Sequence, residues 1–193
     1  MKSLIKEMLK ESIEVKQKLI EQSELIEFAA TEIAKRIEKG GKVILFGNGG
    51  SAADAQHIAC ELVGKFKFRR GPLPAIALTT NTSILTAIAN DISFEEIFAR
   101  QIEGLACEKD VVIGISTSGR SVNVIKGIQA AKKKNAFTIA LTGEHGGPLA
   151  SVADIAIKVP STNVPRIQEA HITIGHIICE IVELTLLRKD RSQ

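Results

Sequence analysis

The chain has 193 residues, 45% of them hydrophobic and 24% charged, with a net charge of +3; it is long enough to bury one sizeable core and is expected to form a single domain over 1–193. With neither Trp nor Tyr it has little aromatic surface for stacking on bases, and so little net charge argues against nucleic acid as a partner. Cys60, Cys107 and Cys179 lie far apart, with no Cys-x-x-Cys spacing, which points to a reducing, cytoplasmic compartment; charges at Lys6, Glu7, Lys10 and Glu11 break up the amino-terminal apolar residues, and no run elsewhere is expected to cross a membrane.

From Leu4 to about Glu38, apolar residues recur at helical spacing: Leu4, Ile5, Met8, Leu9, Val15 and Leu19, then Leu25, Ile26, Ala29, Ala30, Ile33 and Ile37. One or two amphipathic helices follow from this, with either a partner subunit or the chain's own sheet to cover them. Gly40-Gly41 closes the segment.

Lys42 to Phe46 is a short apolar run, as expected of a strand covered on both faces. It runs into Gly47-Asn48-Gly49-Gly50-Ser51, whose glycines let the backbone turn sharply and approach a ligand. Ser51 or Asn48 is placed to cap the helix that follows, and the free amides at that helix end favour an anion. His57 and Glu61 stand four apart on this helix, hence on one face. That spacing also describes an ordinary solvated pair. No lysine follows the glycines in the Walker arrangement, and the strand at 75 to 78 ends in Thr79-Thr80-Asn81 without an acidic residue for a ribose. Both nucleotide readings therefore fail. The basic run Lys65 to Arg70 is a solvated loop or an attractor for a phosphorylated substrate.

A short helix is expected over 84–89, ending at Asn90-Asp91, and another over 94–105 with Ile97, Phe98 and Ile102 inward. The strand at 111–115 opens into Ser116-Thr117-Ser118-Gly119-Arg120-Ser121 and a helix. Four hydroxyls where a strand yields to a helix amino terminus make a neutral cradle for a phosphate, although Ser118 or Ser121 can instead serve as a simple cap. Lys132, Lys133 and Lys134 suit the end of that helix. Strands at 137–141 and 155–159 follow, separated by a glycine-rich loop in which His145 reads as a surface residue. Pro165 opens the last helix, which runs to about Leu187 and carries Gln168, His171 and His176. Strands alternating with helices imply an α/β fold, a doubly wound parallel sheet of about five strands. Ligands in such sheets bind beyond the carboxyl ends of the strands, where both the 47–51 and 116–121 turns fall. Only one of His171 and His176 can share a site with Gln168, and a lone helix histidine among isoleucines is normally a core residue.

Taken together, Gly47 to Ser51, His57 with Glu61, Asn90-Asp91, Ile115 to Gly119, Arg166 to Glu169 and His176 make the chain resemble the phosphoheptose isomerases of the sugar isomerase (SIS) domain family. The resemblance spans nearly the whole chain. It implies interconversion of sedoheptulose 7-phosphate and a manno-heptose 7-phosphate, toward heptose for surface glycans, in a homotetramer with sites at subunit contacts and residues 1–39 in oligomer contacts. It also implies that Asn48, Gly49, Gly50, Ser51, Asn90 and Asp91 bind sugar, and that Ser116, Thr117, Ser118 and Ser121 hold the phosphate. Glu61 would be the base and His176 the acid, with His57, Glu61, Gln168 and His176 as ligands for one zinc ion per subunit. Two positions depart from the pattern. Lys65 stands where many members carry Arg, which puts a two-pronged contact in doubt, and Pro165 where some carry Asp. The family also contains a non-catalytic adaptor associated with the bacterial replication initiator, but that paralog lacks the Glu and the second His. Sugar-phosphate-sensing regulatory domains are a third reading, and no segment here is left over for a fused partner.

Overall fold

A computed structural model describes residues 1–190. Five strands, β1 (Val43–Gly47), β2 (Ala75–Ala77), β3 (Val111–Ser116), β4 (Phe137–Thr142) and β5 (Ile155–Lys158), form one parallel sheet in the order β2-β1-β3-β4-β5. β1 and β3 are buried along their entire lengths, which explains their unbroken apolar sequence. The side chains alternate between two cores. Val43, Leu45, Ile113 and Ile115 face one layer, formed by the helices α2 (Ser23–Glu38), α3 (Gly50–Val63) and α8 (Val164–Asp190). Ile44, Phe46 and Val112 face the other, formed by α4 (Thr82–Asp91), α5 (Ala99–Leu105), α6 (Val122–Lys133) and α7 (Gly147–Val152). Phe46 stacks on Phe98 there, with centroids 4.9 Å apart.

The doubly wound α/β fold and its five strands match the expectation from sequence. The amino-terminal segment is two helices, α1 (Lys2–Leu19) and α2, joined by a single 3₁₀ turn. α1 buries only Val15 and Leu19 and leaves Leu4, Ile5, Met8, Leu9 and Ile13 exposed. It is pinned to the start of α8 by Ser12 Oγ donating to Glu169 (2.7 Å), Asn163 donating to Glu11 (2.9 Å) and Arg166 donating to the Met8 carbonyl (2.6 Å).

Three local expectations are corrected. Residues 94–105 are two pieces, a 3₁₀ turn Phe94–Glu96 and then α5. Ser93 Oγ accepts the Glu95 amide, and Lys126 pairs with both Glu95 and Glu96, so the turn is held against α6 instead of continuing as helix. The stretch Val164–Arg188, read from sequence as unable to cross a bilayer, is by length and composition apolar enough to do so. In this fold it is the helix that closes the first core, with Ile167, Ala170, Ile174, Ile178 and Val182 buried against α2, α3 and the sheet. The third correction concerns the helix caps around the glycine turn.

Candidate active site

The strand order reverses direction between β1 and β3, since β2 lies to one side of β1 and β3 to β5 to the other. Chain segments leaving adjacent strands there diverge and open a crevice at the carboxyl edge. The glycine turn leaves β1 and the hydroxyl loop leaves β3, so both edge this crevice. Asn48 and Asn123 bridge it: each side-chain amide donates to the other's carbonyl oxygen at 2.9 Å. Asn123 is buried, and its Oδ1 also accepts the Val124 amide. Sequence reasoning missed Asn123; its only signal is its place in the first turn of the helix after the hydroxyl loop.

α3 begins at Gly50 with Gly49 as its cap residue at φ +56°, and no side chain caps it. Ser51 is buried within the first turn, and its amide donates to the Asn48 carbonyl at 3.0 Å. Neither Ser51 nor Asn48 is therefore the cap, because Gly49 occupies that position. A Cβ on Gly50 would stand 2.4 Å from Gln168 Nε2 on α8. The carboxamide of Gln168 lies directly against the glycine turn.

The hydroxyl loop is similarly built. Ser116 and Ser121 share a hydrogen bond between their Oγ atoms at 3.0 Å, and Ser118 Oγ accepts the Arg120 amide at 3.2 Å. Ser121 is the cap residue of α6, yet its side chain makes no cap hydrogen bond, so the capping alternative is not taken. Among the described residues, the first amides of α3 and the Val122 and Asn123 amides of α6 have no side-chain acceptor, the condition under which a helix end attracts an anion. Thr117 is half-buried, and its carbonyl accepts the Gly143 amide at 2.9 Å. Gly119 has φ +63°, and a Cβ on it would meet the Gly146 carbonyl at 1.9 Å. The loop after β4 thus braces the cradle from behind. His145 on that loop is exposed, as expected.

Along α3, His57 Nε2 lies 3.1 Å from Glu61 Oε1, and His176 Nε2 of α8 lies 3.4 Å from His57 Nε2. One ligand atom from each of the three falls within 4.8 Å of the others. Tetrahedral zinc at about 2.0–2.1 Å from each donor sets donors roughly 3.3–3.4 Å apart. Two imidazoles and a carboxylate at these separations fit zinc both in chemistry and in spacing. Phe66 stacks on His176, centroids 5.3 Å apart and planes at 30°. Asn90 and Asp91 are exposed at the end of α4, bonded to each other at 2.8 Å. Among the described residues no hydrogen bond joins them to the glycine turn or the hydroxyl loop. Lys65 is exposed beyond the end of α3.

Asp54, one turn before His57, also went unnoticed in the sequence. Its Oδ2 is buried without a hydrogen-bond partner among the described residues, and burial pushes its carboxyl up to about 6, only partly opposed by His57. His171 turns into the core instead: it is fully buried, its Nε2 lies 3.2 Å from the Thr142 carbonyl, and desolvation pushes it down to about 4. His176, not His171, is the histidine that joins the site.

The SIS-domain family model matches residues 8–143. The chain is 56% identical over 180 residues to a phosphoheptose isomerase of Aquifex aeolicus, covering 93% of this chain and 94% of that one. A solved phosphoheptose isomerase from Neisseria gonorrhoeae superposes with a TM-score of 0.89 at 40% identity, over 94% of this chain and 98% of that one. One from Francisella tularensis gives 0.90 at 38% identity, over 93% and 96%. Likeness of this degree along nearly the full length decides the family: the chain belongs to the phosphoheptose isomerases of the SIS-domain family.

Proposed function

We propose that this enzyme, a sugar-phosphate isomerase by family, interconverts D-sedoheptulose 7-phosphate and D-glycero-D-manno-heptose 7-phosphate, supplying heptose for surface glycans. The observation that carries the proposal is the convergence of Glu61 and His176, from two helices far apart in sequence, with Gln168 of the second helix lying against the glycine turn. Moving the carbonyl from C2 to C1 needs a proton taken from C1 and returned to C2, and another passed from O1 to O2, through an enediol. No electrons leave the sugar. Glu61 is the base that removes and returns the carbon-bound proton, and His176 is the acid that serves the oxygens. Each positioned group contributes about 10² to 10⁴ in rate. Ser116, Thr117, Ser118 and Ser121 hold the phosphate, which fixes the reacting end of the chain. Asn48, Gly49, Gly50 and Ser51 line the sugar's path.

His57, Glu61, Gln168 and His176 are the residues that would hold one zinc ion per subunit. When bound, zinc polarises the carbonyl and steadies charge on the enediolate oxygens. Asn90 and Asp91 reach sugar in a neighbouring subunit's site; Asp91 borders an apolar groove with Ile84, Ile88, Ile92 and Leu105, which supports a contact across a subunit boundary. The assembly is a homotetramer, supported by the uncovered apolar row on α1 and by a cleft of about 540 Å³ lined by Leu19, Ile20, Ile26, Ile177 and Ile181. Residues 1–39 supply its contacts, the whole chain is one SIS domain, and the enzyme works in the cytoplasm. A non-catalytic adaptor role is disfavoured because Glu61 and His176 are both retained and stand together. Incubating purified protein with sedoheptulose 7-phosphate and following the appearance of an isomeric aldose phosphate tests the reading. Absence of aldose, with and without added zinc, would sink it.

A further inference from the structure

The basic run after α3 is not a solvated loop along its whole length. Glu183, fully buried on α8 about two turns beyond His176, accepts three consecutive backbone amides, those of Phe66 (2.8 Å), Lys67 (2.9 Å) and Phe68 (3.1 Å). It also accepts Arg70 Nε at 2.7 Å. The Arg70 side chain is 6% exposed, and its remaining nitrogens donate to the carbonyls of Glu61 (2.9 Å), Leu62 (2.8 Å) and Gly71 (2.9 Å). A carboxylate and a guanidinium, both out of solvent, thus have their hydrogen-bonding sites filled by one another and by backbone, the condition under which a buried ion pair is tolerated.

The groups tied down are the informative part. Arg70 grips the backbone at Glu61, and Glu183 fixes the loop that stacks Phe66 on His176. Without the pair, the end of α3 and the Phe66 ring would lose their common anchor on α8, and Glu61 and His176 would be free to drift apart. We infer that the buried Arg70–Glu183 pair is a positioning device for the reaction, setting the separation of Glu61 and His176 through the Glu61 backbone and the ring of Phe66. It touches no reacting atom. The inference rests on Glu61 and His176 being the acid–base pair.

Phe66→Leu removes the stacking ring but keeps the apolar contact, and Arg70→Lys keeps the charge but loses the planar fork. Both are to be checked for native circular dichroism, then assayed with sedoheptulose 7-phosphate beside Glu61→Gln and His176→Gln. The expected result is kcat down about 10-fold to 10²-fold in each positioning variant, with KM within about twofold. Spectra of protein with ¹³C-labelled histidine rings should show the His176 resonances moving in Phe66→Leu and in Arg70→Lys, a change that general loosening elsewhere would not produce. If Arg70→Lys does not fold, Phe66→Leu alone decides. Wild-type kcat and unmoved His176 resonances in the folded positioning variants, while Glu61→Gln and His176→Gln are inactive, overturn the device and leave the proposed function standing. Activity retained in Glu61→Gln or His176→Gln overturns the proposed function instead, and the device with it.

Discussion

Asn48 and Asn123 hold each other by two opposed amide hydrogen bonds of 2.9 Å across the crevice where the strand order reverses. One asparagine is the first residue after β1 and the other lies in the first turn of the helix after β3, so the pair joins the glycine turn to the segment that follows the hydroxyl loop. Asn123 is 3% exposed and Asn48 is half-buried, so truncating Asn123 leaves an amide short of partners. Asn123→Ala is expected to cost about 1–3 kcal/mol of stability. It should also lower kcat/KM by about tenfold or more, because the two halves of the substrate site lose their fixed spacing. Urea unfolding and steady-state kinetics measure the two effects; a variant as active and as stable as the parent would show the bridge to be incidental.

Glu61→Gln and His176→Gln keep the shape of the site and remove the proton chemistry proposed for it. Each is expected to lower kcat by about 10² to 10⁴. Elution on size exclusion should match the parent. Normal turnover in either variant would remove that residue from the mechanism.

The spacing of His57, Glu61 and His176 leads to a metal prediction that does not depend on turnover. Protein dialysed against zinc and then against metal-free buffer should retain one ion per chain by elemental analysis, and His57→Gln should retain much less. Because imidazole must be neutral to ligate, retention should fall as the pH is lowered. Equal zinc content in His57→Gln and parent would exclude this site.

Much of this was readable in the linear chain, and what was not has a common cause. The runs at 42–46 and 111–115 declare buried parallel strands because both faces are covered, and the glycine turn marks the edge where a ligand fits. His57 and Glu61 follow from helical spacing. Pairings between distant segments left no local trace: nothing in the sequence joins Asn48 to Asn123 or Glu183 to Arg70. Gln168 and His176 entered the candidate site only through family resemblance. Periodicity ranked His176 with His171, and the fold separates them, sending one toward His57 and the other into the core. The apolar last helix illustrates the reverse problem, since its composition suits a bilayer as well as the packed layer it occupies.

The pH dependence of stability should be governed near neutrality by two groups of opposite effect, one buried and one half-buried. His171 is held neutral in the fold down to about pH 4, whereas in the unfolded chain it takes up a proton near 6.5. As pH falls through that window the unfolded state gains a proton that the folded state refuses, so folding is progressively weakened. The full effect is about 3 kcal/mol, of which about 2 kcal/mol is lost between pH 7 and pH 5. Asp54 opposes it: the folded carboxyl keeps its proton up to about 6 and the unfolded one only to 3.8, so acidification over the same range favours the folded state. Asp54 is half-buried, and solvent screening makes it the weaker of the two. Asp110 and Glu183, held below the usual carboxylate range by Lys42 with the Cys107 amide and by the 66–68 amides respectively, weaken folding only at lower pH. Urea unfolding in a chelating buffer at pH 7 and pH 5 should therefore show a net loss of stability in the parent. His171→Gln should show a smaller loss or a gain, and Asp54→Asn a larger loss. If His171→Gln loses as much stability as the parent over this interval, His171 is not the group responsible.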